Sequence, residues 1–435
     1  KIQADRFENN VIRGFHTELE AVYEEKNMSL NRDNSKVQEA IFSSLFPKHP
    51  YGTQTVLGTQ ENLKNPSITN IKNYYKQWYV PNNMAICMSG DLDPDETIAL
   101  IDKYFGGLKP NPELPKLNLP KEDPITAPVV KEVLGPDAES VALAWRFPGL
   151  ASKDFEVLQV VSQVLYNGKA GLIDLDLNQQ QKVLNSYGYP MGLADYSAFI
   201  LGGLPKQGQT LEVKDLLLNE IKKLRAGEFD EKMLQANINN FKLYELQSME
   251  SNEGRADIFV NSFINGTNWK DEVTAIDRMA KLTKEDIVAF ADKYLKEDNY
   301  AVVYKKQGKD PNEKKMTKPE ITPIVSNRDV ASPFLTSIQE NAVKPIEPVF
   351  LDFKKDMSQL TAKSDIPVLY KQNTTNDLFQ LIYVFDMGNN NDKALGTAFD
   401  YLEYLGTSDM TPEELKSEFY RLACTFYVSP GNERT

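Results

Sequence analysis

The stretch Ser67–Met88 lies over Thr283–Tyr304 without a gap, and this repeat restricts the fold more than any other feature of the chain. In that register Ile71 meets Ile287, Tyr74 meets Phe290, Trp78 meets Tyr294 and Asn83 meets Asn299. Ala85-Ile86-Cys87 meets Ala301-Val302-Val303. Each copy reads as a capped amphipathic helix, an Asn-containing turn and an apolar strand. The chain therefore contains one folding unit at least twice.

Around the second copy the unit reads as complete. Val129–Leu134 and Val141–Phe147 are predicted strands, and Asp154–Tyr166 is a predicted helix with Phe155, Leu158, Val161 and Leu165 inward. Strands over 183–189 and 196–201 follow, then helices over 211–226, 230–251, 256–264 and 284–295, and a last strand over 300–304. Around the first copy only the back of such a unit is expected. It has an acidic helix at Phe15–Glu25 and a second with Val37, Ala40, Ile41 and Leu45 on one face. The turn-rich Pro47–Gly52, the repeated helix, a strand over Met84–Ser89 and a helix opened by Asp93-Pro94 complete it. Beyond a charged, Pro-rich stretch a third unit begins. Its expected parts are a hairpin of Val368–Gln372 with Leu378–Phe385, helices over 393–405 and from Thr411, and a strand over Ala423–Val428. The predicted division is 1–122, back of the first unit; 123–306, complete second unit; 307–348, linker; 349–435, front of a third, degenerate unit. Both chain ends read as cuts within a longer polypeptide.

The acidic helix carries the candidate chemistry. Glu18 and Glu25 are seven residues apart, two turns, and project from one face with Val22 between them. Glu20 and Glu24 form an i, i+4 pair of like charge, which repels slightly. On spacing alone this is a solvated acidic face. A carboxylate beside apolar residues is also what a metal site takes from a helix, although one Glu never makes a zinc site. The formal net charge of -13 argues against nucleic acid and suits basic or unstructured peptides. No apolar run approaches membrane-spanning length. Cys87 and Cys424 lie far apart and fix no redox compartment.

Four passages together resemble the insulinase/pitrilysin family of zinc metallopeptidases, the inverzincins. Glu18-Leu-Glu-Ala-Val-Tyr-Glu-Glu25 is similar to the family's Glu-Arg-x-x-x-x-x-Glu helix, whose second Glu is the third zinc ligand. Phe46-Pro-Lys-His-Pro-Tyr-Gly52 resembles its His-Pro-Tyr-Gly loop, and Tyr75–Asp91 its Tyr-x-Pro-x-Asn-Met…Gly-Asp passage. Phe385–Thr407 resembles the strand and helix that carry His-x-x-Glu-His in an active unit. The resemblance implies an α+β fold of repeated α/β units, each a mostly antiparallel sheet covered by helices. Two halves of the chain would pair around a closed chamber, in which a peptide or unfolded protein substrate adds a strand to a sheet edge. Zinc would be the cofactor, Glu25 a zinc ligand, and Glu18 a residue that orients the site from behind.

The chain departs from the pattern in three places. His-x-x-Glu-His is absent: the only histidines are His16 and His49. Leu19 stands where the family has Arg, and Asp400-Tyr-Leu-Glu403-Tyr404 stands where an active unit has His-x-x-Glu-His. His49, with no ligand-spaced partner, is expected to be structural or capping. No catalytic residue is therefore expected within this fragment. The expected function is that of a piece of a zinc metalloendopeptidase, inactive by itself. The alternative is a non-catalytic family member acting as a peptide-binding scaffold or partner subunit. The residues fix no compartment; a periplasmic or exported setting is the working expectation.

Overall fold

In the computed structural model, which describes residues 1–64, 66–206, 208–311 and 329–435, the alternation in Val141–Phe147 becomes the centre of a sheet. Among the described residues this sheet has five strands: β1 (Val129–Gly135), β2 (Ser140–Pro148), β3 (Asn185–Gly192), β4 (Tyr196–Leu204) and β5 (Tyr300–Gln307). Their order is β1-β5-β2-β4-β3; β1 runs parallel to β5 and the other pairs are antiparallel. Leu143 sits between Val302 and Leu201, and Trp145 between Tyr300 and Phe199. Period-2 geometry sends these large residues to one face.

That face is covered by three helices: α5 (Lys153–Leu165), α6 (Thr210–Arg225) and α9 (Lys284–Tyr294), with Leu158, Leu217 and Ile287 buried against it. Each large side chain removed from water there contributes about 1.5–3 kcal/mol. The opposite face is lined by small residues, Ala142, Ala144, Ala198 and Ala301, and is covered by a helix that precedes β1 in the chain. The residues before β1 supply α1 (Phe15–Leu30), α2 (Asp33–Leu45), α3 (Ile68–Trp78) and α4 (Pro94–Phe105). It is α2 that lies over the small face, with Ile41, Leu45 and Phe46 buried in it. Lys305 of β5 points into the same layer and is buried against Asp33, the first residue of α2. Two further helices, α7 (Lys232–Ser248) and α8 (Asn252–Asn265), follow α6.

The repeat survives as geometry at its helix and turn. Ser67 caps α3 and Thr283 caps α9, each hydroxyl accepting from the backbone three residues on. Asn83 Nδ2 donates to the Trp78 carbonyl at 3.0 Å, and Asn299 Nδ2 to the Tyr294 carbonyl at 2.8 Å. The strand does not repeat. Met84–Ser89 pairs with no strand among the described residues, so the strand expected there does not form. Extended backbone becomes a strand only when neighbours take up its N–H and C=O groups. Tyr300–Gln307 has β1 and β2 on its two sides.

Residues 1–321 with 387–435 form one compact unit and residues 322–386 another. Within the expected linker, 312–328 lies outside the described residues. In the smaller unit the hairpin predicted from Val368 to Phe385 is replaced by one a step earlier, Ser358–Thr361 with Pro367–Tyr370. Its turn is closed by Ala362 N–H donating to Ile366 O at 2.9 Å, with Asp365 in the left-handed region that Asp tolerates. Asn373 instead donates to Leu378 O, which holds that loop on itself. The predicted strand over Ala423–Val428 is also unformed. The helix expected over 393–405 is present as Leu395–Asp400 and a tighter turn, Tyr401–Tyr404. The last helix, α10 (Pro412–Arg421), opens with a full capping box between Thr411 and Glu414. It docks on α7 through Tyr420, which is buried beside Ala170 and Ala236.

Candidate functional site

α1 is held by its inner residues and presents its acidic ones. Tyr23 and Lys26 are buried, and Lys26 Nζ lies 3.0 Å from Glu39 of α2. Asn27 accepts from Gln60 at 2.6 Å, which ties the C-terminal half of α1 to the short helix Gln60–Lys64. Glu18 and Glu25 are both exposed. Both carboxylates thus face outward from a helix held by Tyr23, Lys26 and Asn27. A cavity of about 1120 Å³ lies beside α1, lined by Lys26, Lys36, Glu39, Gln54, Gln60 and Glu132, and neither Glu18 nor Glu25 lines it.

A zinc site takes three or four ligands. Among the described residues no three His, Cys, Asp or Glu side chains gather where a metal could be held. The residues present therefore do not fit zinc by themselves: Glu25 is one donor, and no described imidazole or thiol stands with it. His16 is exposed on α1, its ring packed edge-on against Phe15.

His49 is a structural residue. It is buried, and its Nδ1 accepts from Tyr51 N–H at 3.3 Å, capping the short helical turn Pro50–Thr53. Its Nε2 is 3.5 Å from Asp195 Oδ2, too long and poorly aimed to count as a hydrogen bond. The rings of Tyr51 and Tyr196 pack against it. Glu122 accepts from the backbone N–H groups of Lys48 and His49 at 2.7 and 2.6 Å. Gly52 closes the loop where a Cβ would run into the carbonyl oxygens of Phe46 and Phe42. The His-Pro-Tyr-Gly passage thus clamps the end of α2 to Asp195 and Tyr196 at the start of β4.

The passage at Asp400–Tyr404 is exposed throughout, with the rings of Tyr401 and Tyr404 tilted toward each other at 6.1 Å. Sequence reasoning passed over a buried carboxyl group. Asp174 is buried at the start of a short π-helical segment, Asp174–Gln179, and its Oδ2 accepts from Asn167 and Gly171 N–H in the preceding turn at 2.9 and 3.0 Å. Burial raises its pKa to about 6, against the opposing pull of those N–H groups. The same loop meets the segment after α10: Lys169 Nζ donates to Cys424 O at 3.0 Å. The glycines of Asn167-Gly-Lys-Ala-Gly171 were the available signal for a carboxylate-held turn.

Residues 67–241 match a family model described as the peptidase M16 inactive domain. The chain is similar to the zinc protease PqqE of Helicobacter pylori, 27% identical over 304 residues that cover 67% of each protein. A shorter match, 31% identical over 85 residues, covers 20% of this chain and 18% of a probable mitochondrial-processing peptidase subunit beta of Schizosaccharomyces pombe. Among solved structures, a protease from Helicobacter pylori superposes with a TM-score of 0.64 at 23% identity, covering 68% of this chain and 73% of that one. The periplasmic protease PqqL from Escherichia coli superposes with a TM-score of 0.55 at 13% identity. That match covers 96% of this chain and 49% of PqqL. The sheet and its helix layers thus share the fold of M16 peptidases, and from α3 into α7 the sequence is similar to the inactive domain of the insulinase/pitrilysin, or M16, family.

Proposed function

We propose that this chain is part of a zinc-dependent endopeptidase that hydrolyses peptides or unfolded polypeptides inside a chamber formed by two halves of one polypeptide. In this reading Glu25 is a zinc ligand and Glu18 orients it. The supporting observation is that α1 is anchored through Tyr23 and Lys26 while Glu18 and Glu25 stand exposed. The other ligands and the general base lie outside residues 1–435. Those residues alone are accordingly expected neither to hold zinc tightly nor to cleave. The domain division given above, 1–122, 123–306, 307–348 and 349–435, and an exported or periplasmic setting belong to the same proposal.

Glu25→Gln in the intact protein tests it. Bound zinc, measured by elemental analysis, should fall sharply. Stoichiometric zinc in that variant would remove Glu25 from the ligand set. A second reading, a non-catalytic scaffold or partner subunit that binds peptides, draws on the match of 67–241 to a domain described as inactive. Intact protein that binds an unstructured peptide but neither holds zinc nor cleaves would favour it.

A further inference from the structure

We infer that the cavity along the open edge of β1 is a main-chain binding site for an extended, unstructured peptide, and that β3, the other edge of the same sheet, is closed to one. The kind of ligand rests on the peptidase reading proposed above. The place does not: neither Glu18 nor Glu25 lines this cavity.

A sheet edge takes a guest strand only where its outward N–H and C=O groups can be reached. The edges of the five-stranded sheet are β1 and β3. On β3 the outward groups are spoken for. Asn178 Nδ2 donates to Ser186 O at 2.8 Å, and Asn178 Oδ1 accepts from Ser186 N–H at 2.7 Å. One side-chain amide thus stands where a guest residue would pair. Since Ser186 turns both groups away from β4, strand alternation turns Gly188 and Pro190 outward as well. Pro190 has no N–H to give. The segment that carries Asn178 is itself held, because its first residue, Asp174, is buried.

On β1 the outward groups are open. Gly135 O accepts from Gly308 N–H at 2.9 Å, just past the end of β5, so Gly135, Val133 and Lys131 turn toward β5. Val130, Glu132 and Leu134 turn the other way, to a side with no strand among the described residues. There Leu134 O accepts from Lys36 Nζ at 3.2 Å, a flexible donor that a guest N–H can replace. The cavity of about 1120 Å³ runs between this edge, α2 and the loop over 52–62.

Its chemistry suits a main chain with small polar side chains. The charges pair among themselves: Lys26 with Glu39 at 3.0 Å, Lys36 with Asp33 at 3.6 Å and Glu132 with Lys306 at 2.7 Å. The loop wall offers uncharged groups, Thr53, Gln54, Thr55 and Asn62, and no aromatic ring is among the described lining residues. Nothing there selects a charged or a large apolar side chain. What remains to be recognised is extended backbone, which an unfolded chain presents and a folded one does not.

The test uses the intact protein in chelator, so that zinc-dependent cleavage does not consume the probe, and a fluorescein-labelled peptide of alternating Thr and Ser. Hydrogen exchange with and without the peptide should show the Glu132 and Leu134 amides slowed and the Gly188 amide unchanged. Glu132→Pro removes an outward N–H that β5 does not use, which an edge strand tolerates. It should weaken binding, read by anisotropy, about tenfold, the effect of one lost main-chain bond. Glu132→Ala keeps the N–H, loses only the exposed pair with Lys306, and should bind within about twofold of wild type. Exchange in the wild type reads the site even if the proline variant fails to fold. Protection at Gly188 instead, no protection at Glu132 and Leu134, or a dimer of this chain paired through β1 would overturn the inference. The zinc reading fails separately. Stoichiometric zinc with unprotected Glu132 removes only the β1 site, and protection in a protein that holds no zinc removes only the zinc reading.

Discussion

Lys305 Nζ lies 2.7 Å from a carboxylate oxygen of Asp33, and both side chains are almost wholly buried. The pair joins β5, which lies between β1 and β2, to the first residue of α2. Lys305 also donates to the carbonyls of Asp137 and Ala138, and Asp137 N–H donates to Asp33 at 2.9 Å. Two opposite charges removed from water roughly offset their own desolvation, but one left without the other does not. Asp33→Ala should therefore cost about 3–5 kcal/mol, read as a shift in the urea midpoint. Asp33→Leu combined with Lys305→Met should cost much less than the sum of the two single changes. Additive losses would mean that the two charges are independently satisfied.

The pair also sets an acid limit. Burial pushes the Asp33 carboxyl upward, but hydrogen bonds from Lys305 and Asp137 with the nearby lysine charges outweigh it, and the net pKa is lowered. A depressed folded pKa stabilises above the unfolded value of about 4 and is lost as pH falls through the folded one. Stability should fall below pH about 4 more steeply in the wild type than in the Asp33→Leu, Lys305→Met double variant. Equal slopes would count against a lowered Asp33.

Asp174 works in the opposite direction. Its pKa is raised from an ordinary 3.8 to about 6, first by burial. The folded chain then holds the proton better than the unfolded one. The contribution favours folding below about pH 4, declines between 4 and 6, and stays lost above, about 3 kcal/mol in total. Asp174→Asn keeps an acceptor for Asn167 and Gly171 N–H and removes the titration. The stability difference between this variant and wild type should grow in the variant's favour from pH 4 to pH 6. A difference that stays flat over that range would place the Asp174 titration elsewhere.

Tyr420 is the anchor of α10. Its hydroxyl lies 2.8 Å from Asn237 Oδ1 and 3.2 Å from Gln163 Oε1, and its carbonyl accepts from Asn240 Nδ2 at 2.7 Å. Asn237 is wholly buried. Tyr420→Phe leaves that amide oxygen without its donor, a loss of about 1–3 kcal/mol. The expected signature is local: faster exchange of the 412–421 amides with little change in β2 and β4. Uniform acceleration across the chain would mean that α10 unfolds only with the sheet.

What the sequence discloses is the part set by local pattern. The caps at Ser67, Thr283 and Thr411, the apolar stripes of the helices and the alternation in Val141–Phe147 are each decided within a few residues. Strand pairing is decided elsewhere. Met84–Met88 and Leu378–Phe385 have strand composition, but a ladder needs a neighbour that local sequence does not name. Lys305 and Asp33 are unreadable for the same reason: each looks solvated until the fold brings them together. Asp174 hides among ordinary polar residues, and only its glycine-bearing loop gives it away. The significance given to Glu25 comes from the family resemblance, since seven-residue spacing is shared by many solvated helices.

The Asn latches give a comparison internal to the molecule. Asn299 joins α9 to β5, donating to Tyr294 O and accepting from Lys296 N–H at 3.0 Å. What it connects is fully built: a helix buried on the core and a strand paired on both sides. Asn83 makes the same bond to Trp78 O, but it is exposed and the residues after it pair with nothing among those described. A hydrogen bond that fixes a connection contributes to stability only if both connected parts are otherwise ordered. Asn299→Ala should therefore cost about 1–2 kcal/mol in residues 1–435, and Asn83→Ala no more than a few tenths. Denaturant titration of the two variants reads the difference directly. Equal costs would require Met84–Met88 to be as well held as β5 in this chain.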